Sequence, residues 1–260
     1  MRTGSDICLL CKKNLATQRK SHVIPKFFGD GIFYGTKPRH GISIDRTGQQ
    51  RKIQDITKVD FMICPGCEKG ISIFESYCIL RLERFNQVKY FGDFKNHKIG
   101  NFQFFECNKI DIRIFNLFIY SVVWRLSVTD QFEFQKFKLP QDDEETLREI
   151  ITKSIFKSQN ELIDNLNDVA TLSKHSHVIL RPIKKLRPPR SMMSAASLDQ
   201  ETHQICLVDY LIIYLTNQNK LVPILKEIDN NNLERLPRIG LSGIQSWESF
   251  NNDLLNRWTS

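Results

Sequence analysis

The sequence predicts an α+β fold in three parts, and three observations support this. Residues 1–88 contain two Cys-x-x-Cys pairs and short strand-like runs, and residues 89–172 contain long apolar stretches with helical spacing. Residues 173–260 combine apolar strand-like runs with a helix-like end. We therefore expect a module of two strands and a helix (ββα), a mainly helical middle region and a C-terminal α/β region. The three parts are expected to pack as one unit, because 260 residues can bury a sizeable core.

Local patterns predict the elements of the first part. Residues 20–25 form a short strand, because Val23 and Ile24 are β-branched and Pro25 ends the run. Residues 26–58 are basic and carry only weak strand signals, and residues 58–63 form a second strand. A helix follows from Glu68 to about Val88, since its apolar residues recur every three or four positions: Ile71, Phe74, Cys78, Leu82 and Phe85.

The remaining elements are predicted in the same way. We expect a strand pair in residues 89–109, with turns at Gly92 and Gly100-Asn101. Apolar periodicity and acidic first turns then predict helices over residues 111–127, 142–155 and 160–172. In the last part we expect a strand over 177–183, one or two strands over 204–215, a turn over 229–232 and a helix over 246–258.

Charge and hydropathy restrict the function classes. The chain has 37 basic and 29 acidic residues, a net charge of +8 that favours a polyanionic partner, although general solubility explains it equally well. The most apolar stretch, residues 110–123, contains Asp111, Arg113 and Asn116, so we expect no membrane span. Residues 1–6 lack the pattern of a secretory signal, which favours a cytoplasmic protein.

Four of the seven cysteines have the spacing of a metal site. Cys8 and Cys11 form one Cys-x-x-Cys pair, and Cys64 and Cys67 form the other. Two such pairs supply the four thiolates of a tetrahedral structural zinc site, which would close a loop of about fifty residues. The remaining cysteines, in apolar surroundings, are predicted to be buried free thiols: Cys78, Cys107 and Cys206. Thiols and zinc fit a reducing compartment better than a disulfide framework does.

Residues 7–80 resemble the zinc-bearing HNH endonucleases, also called His-Me finger or ββα-metal nucleases. The resemblance lies in both cysteine pairs, in the segment Ser21–Lys26 (Ser-His-Val-Ile-Pro-Lys) and in Glu68 after the second pair. It implies that the ββα module is HNH-like, that the four cysteines hold structural zinc, and that His22 is the general base that activates water for phosphodiester hydrolysis. A histidine suits this role because its pKa lies near neutral pH.

The same resemblance implies a catalytic Mg²⁺ or Mn²⁺ between the His22 strand and the following helix. Glu68 and Glu75 are the carboxylates available to it, and Asp60 lies where the family often has an asparagine that orients the base. The chain departs from the family at Ser21, where Asp, Glu or His commonly binds the metal, and at Glu68, where Asn is common. Small nucleases of this kind are associated with antiviral defence or toxicity in bacteria.

Basic residues in two segments are predicted to contact nucleic acid, DNA more than RNA. They are Lys26, Arg39, His40, Arg51 and Lys52 in the first part, and Lys184, Lys185, Arg187 and Arg190 in the last. Solvent-exposed loops explain the same residues. Trp124 and Arg125, within an apolar helix, are predicted to contribute packing and a fixed ion pair.

Two alternatives to a free-standing nuclease remain. The chain could be a zinc-stabilised module that binds nucleic acid or protein without cleaving, which Ser21 favours. It could also be a nuclease subunit that is active only with a partner protein, which the large remainder of the chain favours. Besides nucleic acid, the expected partner is a protein partner or a second copy of this chain in a homo-oligomer.

Overall fold

The computed structural model describes residues 2–29, 41–44, 50–54, 56, 58–86, 92–182, 193–243 and 249. It has a mixed α+β fold: one seven-stranded sheet, a layer of helices on one side of that sheet, and an N-terminal module that packs into the same hydrophobic core. The predicted division at residues 88 and 172 stays a prediction.

The N-terminal module contains four short strands and two helices. Strand β1 (Ser21–His22) pairs antiparallel with β4 (Lys58–Val59), and β2 (Gly41–Ile44) pairs with β3 (Gln50–Ile53). Strands β1 and β4 correspond to the strands predicted over residues 20–25 and 58–63, and each is only two residues long. The left-handed backbone of Lys20 (φ 57°) and Phe61 (φ 61°) turns the chain beside them, and one helical turn, α1 (Lys26–Gly29), follows Pro25.

Helix α2 (Pro65–Leu82) starts three residues before its predicted start at Glu68. Cys64 is its N-cap, and Pro65 suits the first helical position because no intrahelical bond needs its missing N–H. The helix continues as a 3₁₀ turn, Glu83–Asn86.

The middle region contains a β-hairpin and three helices. Strands β5 (Phe94–Ile99) and β6 (Phe102–Cys107) confirm the predicted pair, with Gly100 at a φ of 58° in the turn. Helices α3 (Ile112–Val128) and α4 (Gln141–Lys153) agree closely with prediction. Helix α5 (Gln159–Asp164) is shorter than the predicted 160–172, because the Asn165 side chain donates to the Glu161 carbonyl at 2.7 Å and ends it.

Five strands of the last part join this hairpin in one sheet. They are β7 (Ser176–Pro182), β8 (Met193–Ser197), β9 (Thr202–Leu207), β10 (Tyr210–Leu215) and β11 (Arg238–Ser242). The strand order is β5-β6-β11-β7-β10-β9-β8, and only β7 and β11 pair in parallel. The predicted run over 204–215 is therefore two strands, and the predicted turn at 229–232 centres on Asn230 and Asn231.

The predicted C-terminal α/β region is described only in its strand part. Within residues 173–182 and 193–243 the chain forms strands and short 3₁₀ turns, including Pro223–Ile228, but no α-helix. The helices that cover the sheet come from earlier in the chain. The predicted helix over residues 246–258 lies outside the described residues, except for Ser249.

Two hydrophobic clusters cover the two faces of the sheet. Ile179, Ile212 and Ile239 belong to the large cluster that contains α2, α3 and α4, while Val178 and Leu180 belong to a smaller one with Ile228. Helix α3 lies at the centre, with Phe115, Phe118 and Val122 inaccessible to solvent. In the part of the chain that the structure describes, none of the helices has the length and apolar character needed to cross a membrane.

Candidate metal centre and the His22 strand

The first cysteine pair lies in a tight turn fixed by its own backbone. The Cys8 N–H donates to the Asn14 carbonyl at 2.8 Å, and the Lys12 N–H donates to the Cys8 carbonyl at 3.0 Å. Lys12 adopts a φ of 51°, which reverses the chain just after Cys11. The turn therefore has a defined shape from hydrogen bonds alone.

The second pair lies at the start of α2, where Cys64 is the N-cap and Cys67 is in the first turn. Backbone hydrogen bonds join this segment to the first pair: Leu9 N–H to Met62 O at 3.1 Å, and Gln18 N–H to Ile63 O at 3.2 Å. These bonds bring together pairs that are more than fifty residues apart in the sequence.

The four thiols form one compact cluster. Their Sγ atoms all lie within 4.8 Å of one another, with Cys8 to Cys67 at 3.8 Å and Cys11 to Cys64 at 4.0 Å. In a regular tetrahedron with metal–sulfur bonds of about 2.3 Å, the sulfur atoms are about 3.8 Å apart. The cluster could therefore hold a metal ion such as zinc.

The environment of Cys8 favours a thiolate, as a metal ligand must be. The Cys8 and Cys67 Sγ atoms share a hydrogen bond at 3.8 Å, and the backbone N–H of Cys64 donates to the Cys8 Sγ at 3.3 Å. These bonds lower the pKa of Cys8 to about 4, with the Cys67 bond contributing most. The same bond, together with burial, raises the pKa of Cys67.

Helix α4 supports the first cysteine turn, a contact that the sequence analysis did not predict. The Leu10 carbonyl accepts hydrogen bonds from Arg148 Nη1 at 2.7 Å and Thr152 Oγ1 at 3.2 Å. Lys12 forms an exposed salt bridge with Glu145 at 2.7 Å. The cysteine cluster is thereby connected to the helical layer.

The candidate base His22 lies in β1, opposite Lys58 of β4. Its ring is partly buried, and its backbone carbonyl accepts a hydrogen bond from Arg125 Nη1 of α3 at 2.9 Å. The resemblance to HNH endonucleases makes Asp60 the residue that could orient the base. Its carboxylate accepts the backbone N–H of Lys20 at 2.7 Å, and this contact orients the turn before β1.

Both candidate metal-ligand carboxylates lie on α2 and near β1. The buried Ser21 donates its hydroxyl to Glu68 Oε2 at 3.0 Å. Glu75, two turns further along α2, forms an ion pair with Arg125. Burial raises the pKa of Glu75, and the Arg125 charge opposes this effect. Glu68 therefore has a neutral partner, whereas Glu75 has a cationic one.

The predicted ion pair of Arg125 is thus present, and Arg125 does more than pair. Its side chain is 2% exposed, and it also donates from Nε to the Ser121 carbonyl at 3.0 Å. A charged residue in the apolar stretch 112–128 indicates that it has a buried partner. Only the fold shows that the partners are Glu75 and the His22 carbonyl.

The predicted nucleic-acid contacts are only partly described. Lys26 begins α1 and Lys52 lies in β3, and both are exposed, while Arg51 pairs with Ser43 in the β2–β3 hairpin. The others lie outside the described residues: Arg39, His40, Lys184, Lys185, Arg187 and Arg190. The structure leaves this set of residues untested.

Comparison with known proteins adds no assignment. No protein-family model matches the chain, and neither a curated protein nor a solved structure shows significant similarity to it.

Proposed function

We propose that this protein is a metal-dependent endonuclease that hydrolyses phosphodiester bonds of nucleic acid, DNA more than RNA. The observation that carries the proposal is the position of His22, on a strand beside α2, in a module whose two ends meet at a four-cysteine cluster. A histidine beside a helix with carboxylates is the arrangement that base-assisted, cation-assisted hydrolysis requires.

In this proposal the cysteine cluster holds structural zinc. The thiol spacing fits Zn²⁺, and four thiolates leave no open coordination position for substrate or water. The ion would fix the start of α2 relative to the first cysteine turn, and so hold the helix in place beside β1.

His22 would accept a proton from the attacking water, and Arg125 would hold its backbone through the 2.9 Å bond. Glu68, beside Ser21, would hold a Mg²⁺ or Mn²⁺ ion, and Glu75 would have to leave Arg125 to join it. One carboxylate suffices, because Mg²⁺ often binds through one or two carboxylates and the substrate phosphate. When bound, the cation neutralises charge on the scissile phosphate and the leaving oxygen.

A second candidate is a module that binds nucleic acid without cleaving it. The observation in its favour is that Ser21 in β1 bonds to Glu68, and Glu75 on α2 pairs with Arg125. A nuclease subunit that needs a protein partner is the third candidate, and only an experiment separates it from the second.

The test is cleavage of plasmid and single-stranded DNA with Mg²⁺ or Mn²⁺, at matched zinc content. We expect wild type to cut and His22→Ala to lose at least about 100-fold in rate, the lower range for removal of a general base. His97→Ala is the control, since His97 lies on the edge strand β5 outside the proposed site.

Equal cleavage by wild type and His22→Ala would exclude His22 as the base. DNA binding without cleavage by either protein would support the binding module, and cleavage that appears only with cell extract would support the partner-dependent subunit.

A further inference from the structure

The middle strand of the sheet carries a buried arginine with unusual surroundings. Arg181 is 5% exposed and lies near the end of β7, the fourth of seven strands. Its guanidinium carbon is 4.3 Å from the ring centre of Phe85 and 4.7 Å from that of Tyr210. The charged group is therefore flanked by two aromatic rings, an arrangement that suits a planar cation.

Two of its donors have no acceptor. Arg181 Nε and Nη1 are buried, and among the described residues neither forms a hydrogen bond. The other buried arginine differs, since Arg125 donates to Ser121, His22 and Glu75. An arginine stays protonated in proteins, so unpaired buried donors lower the stability of the fold unless something binds them.

The charge of Arg181 acts on its neighbours. Burial raises the pKa of Tyr210 to about 12 and that of Cys107 to about 12, and the Arg181 charge opposes the increase at both groups. A fixed positive charge in a desolvated environment is a strong attractor for an anion.

We propose that Arg181, in contact with the rings of Phe85 and Tyr210, anchors a binding site for a phosphate group. Nε and Nη1, which have no acceptor among the described residues, belong to the planar donor fork of a guanidinium, and such a fork binds oxyanions.

The ligand we favour is a phosphodiester of the nucleic acid, and this choice rests on the proposed function. The ring of Tyr210 also contacts Phe28 at 5.1 Å and Phe27 at 5.7 Å, both in α1, the element that follows His22 in the chain. The ring beside Arg181 thus packs against α1, which begins four residues after His22, and we infer that one substrate engages both.

The test measures binding separately from cleavage. Anisotropy of a labelled duplex and a labelled single strand is recorded without divalent ions, for wild type, Arg181→Met and Arg181→Lys. We expect Arg181→Met to weaken binding roughly 10- to 100-fold, as for loss of a charged hydrogen bond, and to reduce the salt slope by about 1. Arg81→Met is the matched control, because Arg81 also lies over a ring, that of Tyr77, but donates to the Tyr77 carbonyl.

A thermal measurement guards against variants that fail to fold. Without ligand, Arg181→Met should melt at or above the wild-type temperature, since it removes unpaired buried donors. Inorganic phosphate should raise the melting temperature of wild type and of Arg81→Met, but not of Arg181→Met. Wild-type binding and salt slope in a folded Arg181→Met variant would overturn the proposal. So would a wild-type protein that neither phosphate nor nucleic acid stabilises.

The two proposals fail in different ways. Arg181-dependent DNA binding without any cleavage would overturn the nuclease and support the phosphate site. Another outcome is that inorganic phosphate raises the melting temperature only when Arg181 is present, in a protein that does not bind nucleic acid. That result would support the anion site and overturn the phosphodiester as its ligand.

Discussion

Arg125 connects three segments of the chain through one guanidinium group. It extends from α3 to Glu75 on α2 and to the His22 carbonyl on β1, and it is almost inaccessible to solvent. Breaking a buried ion pair by removing one partner is strongly destabilising, because it leaves a desolvated charge without compensation. The pair therefore fixes the position of β1 relative to the two helices, and loss of either partner would strongly lower the stability of the fold.

Replacing Glu75 by Gln tests this role. We expect Glu75→Gln to lower the free energy of unfolding by about 3 kcal/mol, the low end for a broken buried pair. Urea denaturation at pH 7 measures it. The control is Glu149→Gln, which breaks the exposed pair of Glu149 with Lys153 and should change stability by less than about 0.5 kcal/mol.

A double-mutant cycle separates the pair from its other contacts. Arg125→Met combined with Glu75→Gln should be less destabilising than the sum of the single changes, since the second change removes a charge already without a partner. If the effects add within about 0.5 kcal/mol, the two groups are not coupled and the ion pair does not fix β1.

At the scale of elements, the cysteine cluster determines how α2 is held. Its N-cap, Cys64, and its first-turn residue, Cys67, are both cluster members, so a metal ion bound by the four cysteines would also fix the start of the helix. Metal binding to such sites contributes directly to the free energy of folding.

Replacing a cluster cysteine should release the ion and loosen the module. We expect Cys8→Ser and Cys64→Ser to lose bound zinc and to lower the free energy of unfolding by several kcal/mol. Zinc content by mass spectrometry and the melting temperature measure both effects. Cys107→Ala, a buried cysteine outside the cluster, should keep its zinc. Full zinc content in either serine variant would contradict the four-cysteine site.

Elements with a strong local signal were predicted well, and those that depend on a side-chain contact were not. Helix α3 agrees within a residue or so, because its apolar character persists over 17 residues. Helix α5 ends early through the Asn165 amide, which no periodicity reveals. Cysteine spacing predicts the cluster, whereas the Ser21–Glu68 bond spans 47 residues and the Arg125–His22 bond spans 103. Such contacts arise only from the tertiary fold.

At the scale of the whole molecule, a row of polar side chains crosses the sheet beneath the helices. His177, Tyr214, His203 and Ser197 are cross-strand neighbours on β7, β10, β9 and β8. His203 Nδ1 lies 2.8 Å from Ser197 Oγ, and the His177 ring lies among Phe115, Tyr120 and Tyr214. The two histidines are fully buried, so the core contains two groups that gain a charge in mild acid once they are exposed.

These histidines predict a loss of stability in mild acid. Burial lowers the pKa of His177 to about 3, and burial chiefly lowers that of His203 to about 4, although Asp199 and Asp143 oppose it. In the unfolded chain both regain a pKa near 6.5, so below that pH the unfolded state binds more protons. Their contribution is complete above pH 6.5 and is lost as the pH falls toward 4. From pH 7 to 5 we expect these two groups together to lower the free energy of unfolding by roughly 4 kcal/mol, measured by urea denaturation.

The variant His177→Leu should reduce this loss, because it removes one of the protons that the unfolded state takes up; His175, also buried and with its pKa lowered chiefly by burial, takes up another. Val178→Ala is the control: it lies on the same strand but faces the other cluster, so it should lower stability equally at both pH values. An unchanged pH dependence in His177→Leu would show that this histidine is not the source. If the loss of stability between pH 7 and pH 5 becomes smaller in His177→Leu but not in Val178→Ala, the acid sensitivity arises from the buried histidine. Ordinary carboxylates do not account for it, because their pKa values lie below this pH range.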